Sequence, residues 1–291
     1  MDSKKGSLQV KKPVNYDKLK NINIAYIGGG SVNWAYNFMH DLACNGVIEG
    51  TVRLFDIDKQ AAKRNEKYGS LVSNHPDAKS KWIYKSVLTL EEALTGADFV
   101  IISILPGSFR EMEIDVHLPE KYGILQPVGD TVGPGGIMRA LRCISAYRTF
   151  ADGIKKYSPD AWVINYTNPM AICLRTLYTV FPGIKAFGCC HEVFGTQKLF
   201  ARVAELHLGI KEIPREEIIT NVLGINHFTW IDKASYKTLD LFPVYRVFSE
   251  KYLESGYEGL APWKESIFNS ANMVKFDLFL KYGIAAAAGD R

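Results

Sequence analysis

The sequence has no run of about 18 consecutive apolar residues, the length a membrane-spanning helix needs, so no spanning segment is expected. No internal repeat and no low-complexity stretch appears, which sets aside repeat architectures. Cysteine is scarce: five residues, an odd number, include the adjacent pair Cys189 and Cys190. Neighbouring cysteines rarely bridge each other, and a chain of this length needs no disulfide staples, so a reducing, cytoplasmic setting is expected. Charge of one sign is lacking as well. Lys and Arg number 35 against 31 Asp and Glu, a net charge of +4. Much of that excess lies in residues 1–20, at Lys4, Lys5, Lys11, Lys12, Lys18 and Lys20. This segment has no apolar core of the kind a secretory signal carries and is expected to be a disordered basic leader. Basic residues interleaved with exposed aromatics are missing too, which argues against a nucleic-acid partner. What is present is a chain with 47% hydrophobic and 23% charged residues, the balance of a soluble globular protein with chain enough for roughly two domains.

Ile22–Ile27 is a short β-rich run that ends in Gly28-Gly29-Gly30-Ser31, and Val32–Ala43 follows with apolar residues at helical spacing. Thr51–Phe55 predicts a second strand ending on Asp56, and Lys59–Leu71 a charged surface helix. Phe99–Leu105 is a near-continuous apolar run stopped by Pro106-Gly107, as expected of a strand buried on both faces. Trp162–Tyr166, stopped at Asn168-Pro169, and Ile184–Gly188 predict further strands. This alternation predicts an α/β fold, a Rossmann-like doubly wound parallel sheet of the lactate/malate dehydrogenase type, over residues 21–193. Beyond Phe194 a helix over Gly195–Leu208, a strand over Asn221–Ile225 and dense aromatics predict a second, α+β domain over 194–291. The closing Ala285–Arg291 resembles neither a capped helix nor a polar tail, so this domain is expected to be truncated.

Ligands of such sheets bind beyond the carboxyl ends of the strands, where Gly28–Ser31, Asp56, Pro106, Asn168 and Cys190 fall. Gly28, Gly29, Gly30 and Ser31 stand between strand and helix, the context of a phosphate-binding turn, although the full fingerprint wants glycine where Asn33 stands. Asp56 would accept from a ribose 2′-hydroxyl and repel a 2′-phosphate, so NAD is expected rather than NADP. Cys190 and His227 offer a soft sulfur and an imidazole, a pair that suits a borderline or transition metal. Their spacing alone is no metal signature, and either residue also reads as ordinary structure. Asp130 lies in a glycine-rich loop that reads equally as a tight turn or as a cover over a ligand, with Arg139 nearby as a cation. Asn168 reads as a turn residue or as a partner of sugar hydroxyls.

Five segments then occur in one order: Gly28-Gly29-Gly30-Ser31, Asp130-Thr131-Val132-Gly133-Pro134-Gly135-Gly136, Asn165-Tyr166-Thr167-Asn168-Pro169-Met170, Cys190-His191-Glu192-Val193 and Gly224-Ile225-Asn226-His227. Together they resemble family 4 of the glycoside hydrolases, the NAD- and metal-dependent glycosidases, from about residue 21 onward. The wording from Gly188 to Lys198 is most similar to the bacterial α-galacturonidase branch. The resemblance implies a redox-assisted elimination. Hydride leaves sugar C3 for NAD, the resulting ketone acidifies the C2 proton, and a divalent metal, Mn²⁺ or another, stabilises the enediolate. A base takes that proton as the glycosidic oxygen departs, water adds, and the hydride returns. It further implies Cys190 and His227 as metal ligands, Asn168 and Arg139 as substrate contacts, and Asp290, His191 and Asp130 as catalytic groups. Pro106 joins Gly28–Ser31 and Asp56 on the cofactor side. The implied substrate is a small uronide or other glycoside, with α-glucosidase or α-galactosidase activity as alternatives, and the full-length form is implied to be a homo-oligomer. A dehydrogenase of the lactate/malate type shares the same sheet but would need a His–Asp pair and an arginine clamp that no spacing here displays. A non-catalytic binding fragment is the third reading.

Overall fold

The computed structural model of the protein describes residues 19–125, 131–257 and 265–287. Most of the expected leader lies outside the described residues, as do Asp130 and Asp290. Six strands form one sheet: β1 (Ile22–Ile27), β2 (Gly50–Phe55), β3 (Trp82–Val87), β4 (Phe99–Ile102), β5 (Trp162–Asn165) and β6 (Lys185–Gly188). Their order is β3-β2-β1-β4-β5-β6, the arrangement of a dinucleotide-binding doubly wound sheet. β1 pairs in parallel with β2 and β4, and β2 with β3. The order reverses direction between β1 and β4, and crevices open where this happens.

By its contacts the chain forms two compact units, one of residues 1–104 with 153–163 and one of residues 105–152 with 164–291. These units do not follow the expected division at residue 193.

In the first unit, β1 carries five of its six residues buried, because both faces of a central parallel strand are covered. Helix α1 (Asn33–Cys44) buries Ala35, Met39, Leu42 and Ala43. Helix α2 (Lys59–Ser73) begins at Asp58, whose carboxylate accepts from the N–H groups of Gln60 and Ala61. A carboxylate at this position satisfies donors that the first helical turn otherwise leaves open. Helix α3 (Leu90–Leu94) starts from a reciprocal cap between Thr89 and Glu92. The expected strand over Phe99–Leu105 stops at Ile102. The next residue, Ser103, turns its carbonyl onto Gly28, so that an added Cβ there would meet it at 1.9 Å.

The second unit contains α4 (Phe109–His117), most of α5 (Gly133–Tyr157), α6 (Met170–Val180) and α7 (Glu192–Leu208). The last begins three residues before the expected Gly195, with Glu192 in its first turn, where negative charge is favourable. An antiparallel sheet follows from β7 (Ile218–Ile225), β8 (Phe228–Tyr236), β9 (Leu239–Asp240) and β10 (Ala285–Ala286). Helices α8 (Leu241–Tyr252) and α9 (Glu265–Tyr282) pack on it. Its core is aromatic: the Tyr245 ring lies 4.7 Å from Phe279 and 5.0 Å from Phe200. These rings account for the aromatic density of the sequence after Phe194.

Asp58→Ala removes two accepted backbone bonds at the start of α2. The expected cost is roughly 1 kcal/mol, read as a lower denaturation midpoint with an unchanged slope. Asp58→Asn should recover most of it, since the amide oxygen still accepts.

Candidate active site

Two candidate sites stand on the chain, one in each unit. In the first, the chain leaves β1 through Gly28, which has φ +92° and no room for a side chain. The N–H groups of Gly28 and Gly29 both reach the Phe55 carbonyl, at 2.9 and 3.0 Å. Gly30 donates to Asp56 Oδ2 at 2.9 Å, and Asp58 donates to Asp56 Oδ1 at 2.9 Å. From α2, the buried Asn65 amide donates to the carbonyls of Gly29 and Ser31, both at 2.8 Å. The turn is thereby fixed largely from outside, with one bond of its own from the Ser31 N–H to the Gly28 carbonyl at 3.1 Å. Helix α1 then starts from Val32, which supplies no side-chain cap. The Trp34 N–H donates to Ser31 Oγ at 3.3 Å, and the start of the helix is an electropositive end suited to a phosphate. Asp56 is therefore both a brace of the turn and, through its remaining lone pairs, a candidate acceptor for a ribose hydroxyl. The sequence missed Asn65, which carries no motif of its own and gains its role from the spacing of α2.

Pro106 belongs to the second unit, where its carbonyl accepts from Arg142 Nε at 3.3 Å. The Arg142 guanidinium also pairs with Asp115, and this ion pair occupies the arginine. Arg139, buried on α5, is the cation expected to face a substrate.

The second candidate site lies at the N-terminus of α7 and the tip of the β7–β8 hairpin. Cys190 Sγ stands 3.6 Å from His227 Nε2. One ligand atom each from Cys190, Glu192 and His227 lies within 4.8 Å of the others, and all three residues are half-buried. Metal–sulfur and metal–nitrogen bonds of about 2.3 and 2.0–2.1 Å would let one ion bridge the sulfur and the imidazole at this separation. His227 Nδ1 is 3.1 Å from Thr131 Oγ1. The Thr131 hydroxyl also faces the side-chain oxygens of Asn168 and Asn226, at 3.5 and 3.4 Å, and donates toward them. Its lone pair can then accept from Nδ1–H, an arrangement in which the free lone pair of the ring is on Nε2, facing the sulfur. Glu192 Oε1 accepts from Thr229 Oγ1 at 2.6 Å and from the His227 N–H at 3.3 Å, whereas its Oε2 is buried without a hydrogen-bond partner among the described residues. A soft anion, an oriented imidazole and an unanswered carboxylate oxygen are a donor set that fits a divalent cation.

Burial pushes the Cys190 thiol up from its usual range, and the Glu192 carboxylate adds to that. The backbone N–H groups of Glu192 and His191 and the Asn226 side chain pull the other way. His191 itself caps α7 with an exposed ring that makes no hydrogen bond among the described residues. The structure thus brings Cys190, His227 and Asn168 into one cluster and leaves the His191 ring in solvent. The cluster gains Glu192, Thr131 and Asn226, which the sequence placed in the right segments without assigning roles.

The family model described as family 4 glycosyl hydrolase matches residues 23–206, and that of the family 4 glycosyl hydrolase C-terminal domain matches residues 222–291. An alpha-galacturonidase of Thermoanaerobacter italicus is 66% identical over 277 residues, 95% of this chain and 60% of that protein. The crystal structure of a Bacillus subtilis protein described as a glucosidase aligns with a TM-score of 0.87 at 57% identity, over 94% of this chain and 62% of the other. A 6-phospho-beta glucosidase from Thermotoga maritima, solved with manganese, NAD+ and glucose-6-phosphate, gives a TM-score of 0.64 at 25% identity, over 85% of this chain and 56% of its own. The chain spans about 60% of the length of the curated relatives it matches.

A raised thiol pKa means less thiolate at neutral pH, so metal-free Cys190 should alkylate slowly at about pH 7 and faster as pH climbs past the ordinary thiol range of about 8.5. Peptide mapping after iodoacetamide should find the exposed Cys44 modified first. Divalent metal should protect Cys190 and leave Cys44 unaffected.

Proposed function

This chain belongs to family 4 of the glycosyl hydrolases, and from that premise we propose that the whole protein cleaves α-galacturonides with NAD and a divalent metal, Mn²⁺ foremost. The observation that carries the reading is the 3.6 Å approach of Cys190 Sγ to His227 Nε2 beside a carboxylate. The 66% identity to an alpha-galacturonidase supports the choice of sugar. When bound, the two groups supply reversible hydride exchange and Lewis-acid polarisation of sugar oxygens.

The chain's own residues do the rest. The Gly28–Ser31 turn and the open start of α1 receive a pyrophosphate. Asp56 accepts from a ribose hydroxyl and repels a phosphate in its place, which selects NAD over NADP. Cys190 and His227 hold the metal, and Thr131 fixes the tautomer that lets the imidazole ligate. Asn168, on the same hydroxyl, is positioned to meet sugar hydroxyls. Arg139 supplies the cation a uronate carboxylate calls for. Proton transfer at C2 and at the leaving oxygen is assigned to Asp130, Asp290 and His191. A cytoplasmic location and a homo-oligomeric full-length protein complete the proposal.

With a chromogenic α-galacturonide, release by the full-length protein should require both NAD⁺ and Mn²⁺ and should exceed release from the matching α-glucoside and α-galactoside. Products formed in D₂O should carry deuterium at C2, read by mass spectrometry. Undiminished cleavage without NAD⁺, or products free of deuterium at C2, would overturn the reading. Cys190→Ser should lower kcat about 100-fold or more at fixed Mn²⁺, with most of the NAD⁺ affinity retained.

A further inference from the structure

His227 is the second residue of a two-residue loop, Asn226-His227, that joins Ile225 of β7 to Phe228 of β8. Its φ is +58°, the left-handed region that glycine or asparagine normally fills. A histidine there costs on the order of 1 kcal/mol and persists only when its surroundings hold it. Glu192 is what holds it. Its Oε1 receives the His227 N–H and the Thr229 hydroxyl, which ties the start of α7 to both sides of the hairpin turn. One carboxylate oxygen is enough for that task. The other, Oε2, is buried with no partner among the described residues, and an unanswered charged acceptor costs more than the roughly 1–3 kcal/mol of a neutral one. The same carboxylate lies within 4.8 Å of the Cys190 and His227 ligand atoms.

We propose that Glu192 is the third protein ligand of the divalent-metal centre, binding through Oε2 while Oε1 braces the turn that presents His227. This rests on the reading of Cys190 and His227 as metal ligands and adds a hard oxygen to their softer pair. Two anionic donors, thiolate and carboxylate, then match the charge of a divalent ion, with a neutral imidazole as the third ligand. The oxygen also shifts the site's preference. Sulfur and imidazole alone suit Zn²⁺, whereas carboxylate oxygen suits Mn²⁺. Glu192 therefore sets which metal the site retains as well as how tightly.

Mn²⁺ and Zn²⁺ affinities of the full-length protein, measured without substrate by the loss of the free Mn²⁺ EPR signal and by competition with a zinc chromophore, test this. Glu192→Gln keeps an oxygen for Thr229 and the His227 N–H but puts an amide nitrogen where Oε2 was. It should weaken Mn²⁺ about tenfold or more and Zn²⁺ less, so that the Mn²⁺/Zn²⁺ affinity ratio falls. Thr229→Val, which loosens the brace and keeps the carboxylate, should leave that ratio unchanged. Mn²⁺ affinity in Glu192→Gln within about twofold of wild type, or an equal loss for both ions, overturns the proposal, since a brace alone does not discriminate between metals. Should Glu192→Gln fail to fold by circular dichroism, Glu192→Asp, whose carboxylate is drawn back by one methylene, is read for the same fall in ratio. Cys190→Ser separates the two claims. If it leaves Mn²⁺ binding intact the metal centre itself is misplaced, whereas Cys190→Ser weak with Glu192→Gln unchanged sinks only the role of Glu192.

Discussion

The left-handed turn at His227 is the constraint on which the cluster of Cys190, Glu192 and His227 depends. A hairpin of this length ordinarily spends its positive-φ position on glycine or asparagine, because those residues adopt it cheaply. Here the position carries a side chain whose reach matters. Turned this way, the imidazole presents Nε2 to Cys190 and Nδ1 to Thr131, which come from separate loops of the second unit. The same loop in relaxed form would aim the ring elsewhere. The strain is local and its compensation visible: Glu192 takes the backbone N–H of the strained residue, and the start of α7 is anchored by the long packed helix behind it.

The dinucleotide turn follows the opposite logic. Gly28 takes its positive φ with no cost in side-chain clash, and the structure uses the saved volume to bring Ser103 against the backbone. Much of what fixes the turn arrives from neighbouring elements, Asp56 from the end of β2 and Asn65 from α2. Within the turn the Ser31 N–H also closes back on the Gly28 carbonyl at 3.1 Å, so its shape is set before any ligand arrives. Preorganisation of this kind lowers the cost of ordering a loop around a charged ligand.

Much of this was legible in the sequence, and the parts that were not share a cause. β1, β2, β4, β5 and β6 stand out because each is stopped by glycine, aspartate, asparagine or proline, and β1 and β4 are in addition near-continuous apolar runs buried on both faces. β3 does not stand out: it lies at the edge of the sheet, exposes Ile83 and Lys85, and buries only Trp82 and Tyr84 on one side. Its alternating pattern is too short to separate from a loop. At the candidate site, Cys190, His227 and Asn168 stand in the motifs that carry the family resemblance. Thr131, Asn226 and Asn65 act by hydrogen bonds across the fold, and such contacts leave no periodicity to read. Glu192 was in plain view within a quoted motif, yet its two oxygens acquire different tasks only when α7 meets the hairpin.

Electrostatics joins these observations. A cysteine and a glutamate within 4.8 Å of each other and of an imidazole, half-buried, form a cluster that cannot carry its full negative charge unaided. Burial and the neighbouring carboxylate both hold the Cys190 thiol toward its neutral form, and the N–H groups of His191 and Glu192 compensate only in part. A divalent cation held by Cys190, Glu192 and His227 would relieve the conflict, favouring the thiolate and answering the free Glu192 oxygen beside the imidazole. Each of the three residues is costly where it stands when considered alone, through strain, burial or an unpaired oxygen. One doubly charged cation would answer the buried thiol and the unpaired oxygen together, and that shared remedy is what the proposed metal site would supply.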